Sequence, residues 1–595
     1  MAILRFAALA AGSAYLLYRA LMTSSGADPV LFVLLLVAEA FGVIRLGMEL
    51  SLIGSPKPAT RSPQLDPALE ADVVVVVTDE PASEVRAAVL SARLVDGCRT
   101  LAVVDLGNRV DVADLCQRLK IPRLAGTSTA DLGELTDIAL DHCPSPFVLL
   151  LPADVVVMPD VLRASAGAFT DQEIAVVVSR IEETNASTIV DHAGYGEDRI
   201  RAELMIDRLE RDDALPWWPG MAIVRRAALD AVGGMSRGRR GITLATGVRL
   251  QAAGWRIVDV PVVAARRLAP WNDDRHLHRW ARVLHERLAL LVDGEAPRRN
   301  PYTTRASLRV YRLADLYIAR ALQRLTLIAV LLTTMYTSAL PMVADVRTLV
   351  PLWAAWQGSS LLARWVAFRP VGFVPWAVND FRLLTTGLVV AWRALRRAPL
   401  DNDLADPAPG RRSRSVLLAG LLVVFGCTAL AFVLGIVRPA HSDSVTFVTL
   451  GLSVWVMVVV FQARTGLRER QIRQSYRSFE ELDVYTAAGY LGVIGVSPFG
   501  LDVVSAKTLK LNANVRIGFH LPQPDGSTVP IEVSTVVMRS ARDGDHSVAY
   551  LRFHQLDDQR MDRITEYVSS VAGHRALRDD PNASRPLVMS AQAIG

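Results

Sequence analysis

Asp72-Val73-Val74-Val75-Val76-Val77-Thr78-Asp79-Glu80-Pro81 decides the fold of the first large polar region. Five consecutive valines suit a strand buried on both faces, as in a parallel sheet. Leu101–Asp105 and Phe147–Leu151 repeat the pattern, and helical periods at Glu84–Arg93 and Val112–Leu119 separate the runs. Strands alternating with helices predict a parallel α/β sheet between about Asp72 and Asn300. Ligands of such sheets sit at the carboxyl ends of the strands. Three of those ends carry polar groups: Thr78-Asp79-Glu80-Pro81, Asp105-Leu106-Gly107-Asn108 and Pro152-Ala153-Asp154.

The chain has 595 residues, 51% hydrophobic and 21% charged. At ~100–200 residues per domain, that length predicts three or four units. Mean hydropathy is +0.27. That is high for one soluble globule and low for a chain buried wholly in lipid. Composition excludes a disordered, collagenous or coiled-coil chain. The cysteines Cys98, Cys116, Cys143 and Cys427 are scattered without a CxxC. That pattern fits neither a disulfide framework nor a zinc knuckle, and suits a reducing compartment. Net charge is +5, from 65 basic and 60 acidic residues. So small an excess gives no reason to expect a nucleic-acid polymer as partner, and has a use at a cytoplasmic membrane face.

Uncharged runs mark the membrane segments. Ser415–Val437 has 23 residues without a charge, Ser444–Ala463 has 20 and Leu325–Ala344 has 20. Each is long enough for a hydrocarbon core of about 30 Å. Thr348–Ala363 has 16 and lengthens if Arg364 snorkels. Phe6–Tyr18 and Pro29–Ile44 form a hairpin around Thr23–Asp28. The first run could be taken for a signal peptide, but it lacks a clear cleavage site and a second apolar run comes at once after it. The loops set orientation. Thr23–Asp28 has no Lys or Arg, and Asp345–Arg347 and Arg438–Asp443 have one each. Arg364–Arg414 has Arg364, Arg369, Arg382, Arg393, Arg396, Arg397, Arg411, Arg412 and Arg414. The positive-inside rule then predicts six spans and places both large polar regions in the cytoplasm. Phe373–Arg397 reads as an amphipathic helix in the cytoplasmic interface, or as further membrane helix.

The order of features resembles the membrane-embedded family 2 glycosyltransferases, specifically bacterial cellulose synthase catalytic subunits. Val77-Thr78-Asp79-Glu80-Pro81 matches the family's opening motif. Trp217-Trp218-Pro219-Gly220, Arg225-Arg226-Ala227-Ala228-Leu229 and Gly233-Gly234 resemble the run before its general base. Val248-Arg249-Leu250, Gly254-Trp255 and Arg279-Trp280 resemble the family's sequence beyond that base. The resemblance implies a multidomain membrane protein with an α-helical transmembrane bundle and an α/β, GT-A-like nucleotide-diphospho-sugar transferase domain. It implies a uracil and ribose site at Thr78, Glu80 and Asp105, and Mg²⁺ or Mn²⁺ held by a carboxylate pair that includes Asp154. It also assigns His276, Arg279 and Trp280 to the acceptor motif, where Trp280 offers its π-face to a sugar ring.

Polar positions depart from that pattern while the apolar frame persists. The D-D-G turn is Asp105-Leu106-Gly107, the D-x-D site is Pro152-Ala153-Asp154, and the T-E-D base falls on Gly241-Ile242-Thr243. The K-A-G-N-L-N segment falls on Asp131-Leu132-Gly133-Glu134-Leu135-Thr136, and Q-x-x-R-W on His276-Leu277-His278-Arg279-Trp280. Losing a general base alone costs about 10²–10⁴-fold. His276 and His278 are two apart, a poor helical spacing for a shared metal.

After Arg464 come Arg473-Gln-Ser-Tyr-Arg477 and short alternating strands at Gly492–Val496, Val515–His520, Val529–Val537 and Ser547–Phe553. A helix at about Arg560–Ala572 closes a small β-barrel. This unit looks like a PilZ domain, the cyclic di-GMP receptor that follows the last span of bacterial cellulose synthases. Arg473 and Arg477 match the R-x-x-x-R half of its signature, and Ser497 and Gly500 match D/N-x-S-x-x-G, with Gly495 in place of the acidic or amide residue. Arginines fork onto phosphates and stack on guanines. The rival reading is a basic juxtamembrane helix against anionic lipid. The family's gating-loop motif has no match in Ala398–Gly410.

The expected organisation is a transmembrane hairpin at 1–55, a cytoplasmic GT-A-like domain at 70–300 and transmembrane helices at 310–465 with an interfacial segment at 370–414. A PilZ-like domain at 466–576 and a disordered tail at 577–595 complete it. The eroded motifs favour a pseudo-transferase or regulatory scaffold of exopolysaccharide synthesis in the cell membrane, responsive to cyclic di-GMP and working beside an active synthase. The alternative is an active processive transferase that takes UDP-glucose or a relative and extrudes the polysaccharide.

Overall fold

The computed structural model describes residues 2–52, 69–126, 131–184, 220–237, 242–268, 339–367, 482–486, 489–522, 527–543 and 546–578, with scattered residues between. Two helices come first, α1 (Ala2–Met22) and α2 (Pro29–Leu52). The carboxylate of Asp28 caps α2, accepting from the Val30 and Leu31 N–H groups at 3.0 and 2.9 Å. Among the described residues one helix, α2 over Pro29–Gly47, is long and apolar enough to cross a membrane. The expected spans 415–437 and 444–463 and the segment 373–397 lie mostly outside the described residues, whereas most of 325–344 is described and its described residues from 326 to 337 are helical.

The first polar region contains β1 (Ala71–Val77), α3 (Ala82–Arg93), β2 (Cys98–Asp105), α4 (Val110–Leu119), β3 (Arg123–Ala125) and α5 (Leu132–Asp141). It continues with β4 (Phe147–Pro152), β5 (Val155–Val157), α6 (Val161–Ala166), β6 (Ile174–Thr184) and β7 (Ala222–Arg225). It ends with α7 (Arg226–Ala231), α8 (Ile242–Ala252) and β8 (Arg256–Leu268). One eight-stranded sheet has the order β3-β2-β1-β4-β7-β6-β8-β5. Val73, Val74, Val75 and Val77 are fully buried, as a strand covered on both faces requires.

The expected parallel sheet is half right. The block β3-β2-β1-β4 is parallel. β7 runs antiparallel to both β4 and β6, and β5 runs antiparallel to β8. The sheet is therefore mixed. Composition marks a strand as buried, but the route of the connection sets its direction.

Helix α9 (Val346–Ala367) packs on α1. Tyr15 stacks on Trp356 with ring centroids 5.0 Å apart. The loop after α1 meets the loop before α9: Asp28 donates its N–H to the Leu340 carbonyl at 2.8 Å, and Val343 donates to that of Thr23 at 3.2 Å.

The last unit holds β9 (Leu482–Thr486), β10 (Gly489–Ser497), β11 (Gly500–Ser505), β12 (Asn514–Pro522), β13 (Thr528–Asp543), β14 (His546–His554) and α10 (Asp558–Arg578). The strands close a barrel in the order β10-β11-β14-β13-β12-β9. Two of them, β9 and β11, were not expected from the sequence. Of the expected disordered tail, residues 577–578 extend α10 and the rest lies outside the described residues.

The barrel docks on the first domain. Its core continues into Ala87 of α3, Val156 of β5 and Leu268 of β8. Around this apolar seam Arg86 meets Asp558 at 2.6 Å and Asp562 at 3.3 Å, while Arg118 meets them at 3.6 and 3.5 Å. The hydrogen bond from Arg86 holds the Asp558 carboxyl below its ordinary value. Burial pushes that of Asp562 up. Exposed pairs contribute about 0.2–1 kcal/mol each and are weakened by salt. Fluorophores on the two domains of the Arg86→Glu/Arg118→Glu chain should therefore separate, most clearly at low salt. An unchanged distance would show that the apolar seam alone holds the domains.

Candidate functional site

Register brings the three polar strand ends together. Val77 lies opposite Asp105 and Val76 opposite Pro152, so the ends of β1, β2 and β4 share one edge. Thr78, Glu80, Asp105 and Asp154 stand on that edge, as expected from the sequence.

Each of the first three is engaged within the chain. Thr78 donates its N–H to Glu80 Oε2 at 2.7 Å and its hydroxyl to Glu80 Oε1 at 2.8 Å. Asp105 is fully buried. Its Oδ1 accepts from the Gly107 N–H at 3.1 Å, and its Oδ2 from the Arg109 N–H at 2.7 Å. Arg123 also donates to Oδ2, through Nε at 3.1 Å and Nη2 at 2.8 Å. Arg109 reaches back over the turn to the Glu80 carbonyl. It also pairs with Asp111, whose carboxyl it holds below the usual range. Two guanidinium groups thus occupy the edge where the resemblance places a nucleoside.

Asp154 is paired in the same way. Arg267 on β8 donates to its Oδ1 at 3.1 Å. The Val155–Arg267 register puts the two side by side. Tyr476, between the signature arginines 473 and 477, has its hydroxyl 3.3 Å from the carbonyl oxygens of both Asp154 and Arg266. The segment that opens the barrel unit therefore touches the expected metal turn.

Mg²⁺ and Mn²⁺ require several hard oxygen donors. Position 152 is a proline and Asp154 is paired with Arg267. No group of three His, Cys, Asp or Glu residues gathers among the described residues. The donor set does not fit either ion. At the base position, Ile242 is buried at the start of α8 and Thr243 comes next. The segment 131–136 begins α5, where Asp131 caps the Glu134 N–H at 3.0 Å. Gly133 is needed there, since a Cβ would lie 2.1 Å from the Ser236 carbonyl oxygen. His276, Arg279 and Trp280 lie outside the described residues.

In the barrel, Ser497 and Gly500 close the β10–β11 hairpin. The Ser497 hydroxyl donates to the Gly500 carbonyl at 2.9 Å, and a Cβ on Gly500 would lie 2.1 Å from the Leu551 carbonyl oxygen. Both residues thus have a turn-building role whatever they bind. Arg473 and Arg477 lie outside the described residues.

The sequence did not point to Arg123, Arg267 or Tyr476. Arg123 lies 18 residues from Asp105 and Arg267 lies 113 from Asp154. A usable signal exists only for Arg123, which opens a short strand beside β2.

Residues 66–285 match the family described as glycosyltransferase-like family 2. A UDP-forming cellulose synthase catalytic subunit of Xanthomonas axonopodis pv. citri (strain 306) is 28% identical over 298 residues. The alignment takes in 46% of this chain and 40% of that relative's length. A mannosyltransferase of Pyrobaculum calidifontis in complex with GDP-Man and Mn²⁺ superposes with a TM-score of 0.44 at 18% identity, over 60% of this chain and 99% of that one. Glucosyl-3-phosphoglycerate synthase of Mycobacterium tuberculosis, in complex with Mn²⁺, uridine-diphosphate and glucosyl-3-phosphoglycerate, gives a TM-score of 0.28 at 16% identity, over 40% and 85%. The family match and the curated relative make residues 66–285 a glycosyltransferase domain of family 2.

Proposed function

We propose that this chain is a cellulose-synthase-like membrane protein of exopolysaccharide synthesis that no longer transfers sugar itself. It serves as a scaffold for an active synthase, and its PilZ-like barrel answers cyclic di-GMP. The observation that carries the reading is the Asp154–Arg267 pair. The one carboxylate left at the metal turn is neutralised by the chain's own arginine, so a cation must displace a guanidinium to bind. Asp105 and Arg123 repeat this at the nucleoside position. A transferase gains nothing from such pairs, since it must offer negative charge to its metal.

The multi-pass reading draws support from the contact between the loop after α1 and the loop before α9. Both carry little positive charge, and they belong on one side of the bilayer if the charge rule holds. The cyclic di-GMP reading draws support from the closed barrel and from Tyr476, which links the arginine segment to the metal turn.

The test is turnover of UDP-glucose by the purified chain in nanodiscs, with and without Mn²⁺ and cyclic di-GMP. The expected result is no polymer under any condition, and UDP binding that barely responds to Mn²⁺. Metal-dependent turnover would overturn the proposal in favour of an active processive transferase.

A further inference from the structure

The loop between β11 and β12, residues 506–513, leaves the barrel at the end remote from the first domain. Along the β11–β14 ladder, Gly500 lies opposite Arg552 at one end and Ser505 opposite Ser547 at the other. Helix α10 follows β14 at the Gly500 end and packs on α3. The loop starts from the Ser505 end and is held at several points. Leu509 and Ala513 pack against the barrel core. Lys507 donates its N–H to the Ser505 hydroxyl at 3.2 Å, and Ala513 donates to the Lys510 carbonyl at 3.2 Å. Asn512 donates its N–H to the Val537 carbonyl at 2.9 Å, and Val537 donates to that of Ala513 at 3.0 Å.

Between these anchors the loop exposes Lys507, Lys510 and Leu511. Leu511 is 56% exposed. Beside it, Met538 is the extra residue of the β-bulge between Val537 and Arg539, and is 46% exposed. Arg539 and Arg542 on β13 are exposed too, and Arg542 lies opposite Ser547, the residue that also faces Ser505. None of these four cations has a carboxylate partner among the described residues. By contrast Arg86, Arg123, Arg267 and the barrel's own Arg516 are each paired with an acid. Four of the 65 basic residues are lysines, namely Lys57, Lys120, Lys507 and Lys510, and two of these stand in this loop. Arginine forks onto one carboxylate, whereas lysine is a hydrated point charge on a flexible stem. The loop thus carries the cation suited to a diffuse negative surface.

We infer that this end of the barrel docks on the anionic lipid surface of the cytoplasmic leaflet. The inference rests on the multi-pass reading of the chain, which ends the last span at Ala463, while β9 begins at Leu482. So short a tether keeps the barrel within reach of the headgroups. The four cations, less Asp543 and Asp545 of the β13–β14 turn, leave a charge of +2. That charge draws the loop to negative headgroups but is too small to hold a domain there by itself. Leu511 and Met538 supply the rest, by entering the boundary between headgroups and acyl chains. The lysine stems lie along that apolar contact while their ammonium groups stay among the phosphates. Exposed apolar residues ringed by cations, on a rigidly held loop, have the composition of a peripheral membrane contact.

The experiment places a fluorescent amino acid at position 511 of the full chain, or at the exposed position 554 across the barrel as a control. Quenching by headgroup-spin-labelled lipid is measured in vesicles of phosphatidylcholine with and without phosphatidylglycerol. Position 511 should be quenched more than 554, and more strongly when phosphatidylglycerol is present. Lys507→Ala/Lys510→Ala should lower the ratio of docked to free barrel about thirtyfold. Added salt should act in the same direction. Met538→Ser should lower the ratio at low and high salt alike. Equal quenching at 511 and 554, or quenching at 511 that ignores both phosphatidylglycerol and the lysines, would overturn the inference. A response at 511 that needs a second copy in the same vesicle would assign this face to contact between chains, and would also overturn it. Alkaline carbonate extraction tests the membrane reading separately. Release of the chain from the vesicles sinks that reading, whereas retention with an unquenched 511 sinks the docking alone.

Discussion

Glu39→Ala should destabilise the N-terminal helices more than any other single change in them, by about 3–5 kcal/mol. Arg19 on α1 is fully buried. Its Nε lies 3.0 Å from Glu39 Oε2 on α2, and its Nη1 bonds the Thr23 hydroxyl. Tyr15 donates to Glu39 Oε1 at 2.7 Å while its ring stacks on Trp356. Glu39 thus ties two side chains of α1 to α2. Removing it leaves a buried guanidinium without its counter-charge, which costs far more than the pair contributes. Thermal unfolding of the full chain in detergent measures the effect. The Arg19→Met/Glu39→Leu chain should recover most of the loss, because apolar replacements carry no buried charge. Equal melting of Glu39→Ala and wild type would mean that water reaches Arg19.

Trp217→Ala should cost a similar ~3–5 kcal/mol in the first domain. The motif resemblance places Trp217 in an aromatic run ahead of the base position, where it could be taken for a sugar platform. It is fully buried instead. A Cβ on Gly247 of α8 would lie 2.9 Å from Trp217 Cβ, so glycine at 247 permits the close approach. Gln251 on the same helix donates to the Leu215 carbonyl at 2.7 Å and fixes the segment against it. Urea unfolding followed by circular dichroism checks the prediction. A loss below about 1 kcal/mol would place the indole outside the core.

These cases show how unevenly the sequence reveals the molecule. The valine run of β1 declared itself because burial on both faces leaves one composition to choose from. The polar ends of β1, β2 and β4 could be placed on a shared edge for the same reason, and with them Thr78, Asp105 and Asp154. Strand direction across β7 could not be read, because the valines of a parallel and an antiparallel strand look alike. β11 was hidden because Gly500, read as part of a ligand signature, is also the residue that lets the hairpin turn. The pairing of Asp154 with Arg267 was illegible for another reason. Charge pairs between distant strands leave no local period, and each partner alone reads as an ordinary polar residue. The departures from the family's motifs could be seen in the sequence; the pairing of Arg267 with Asp154 could not.

The hairpin of α1 and α2 also bears on how the chain is made. Its loop bonds Leu340, and Tyr15 stacks on Trp356. Those partners leave the ribosome roughly 300 residues after the hairpin, ~15–60 s at ~5–20 residues per second. Throughout that interval the first domain emerges and folds while the hairpin waits without α9. A charge whose partner lay on a late helix would stay unpaired for as long. Arg19 depends on Glu39, a residue of its own hairpin, and is neutralised as soon as two helices exist. Helix α9 can then pack against a finished surface.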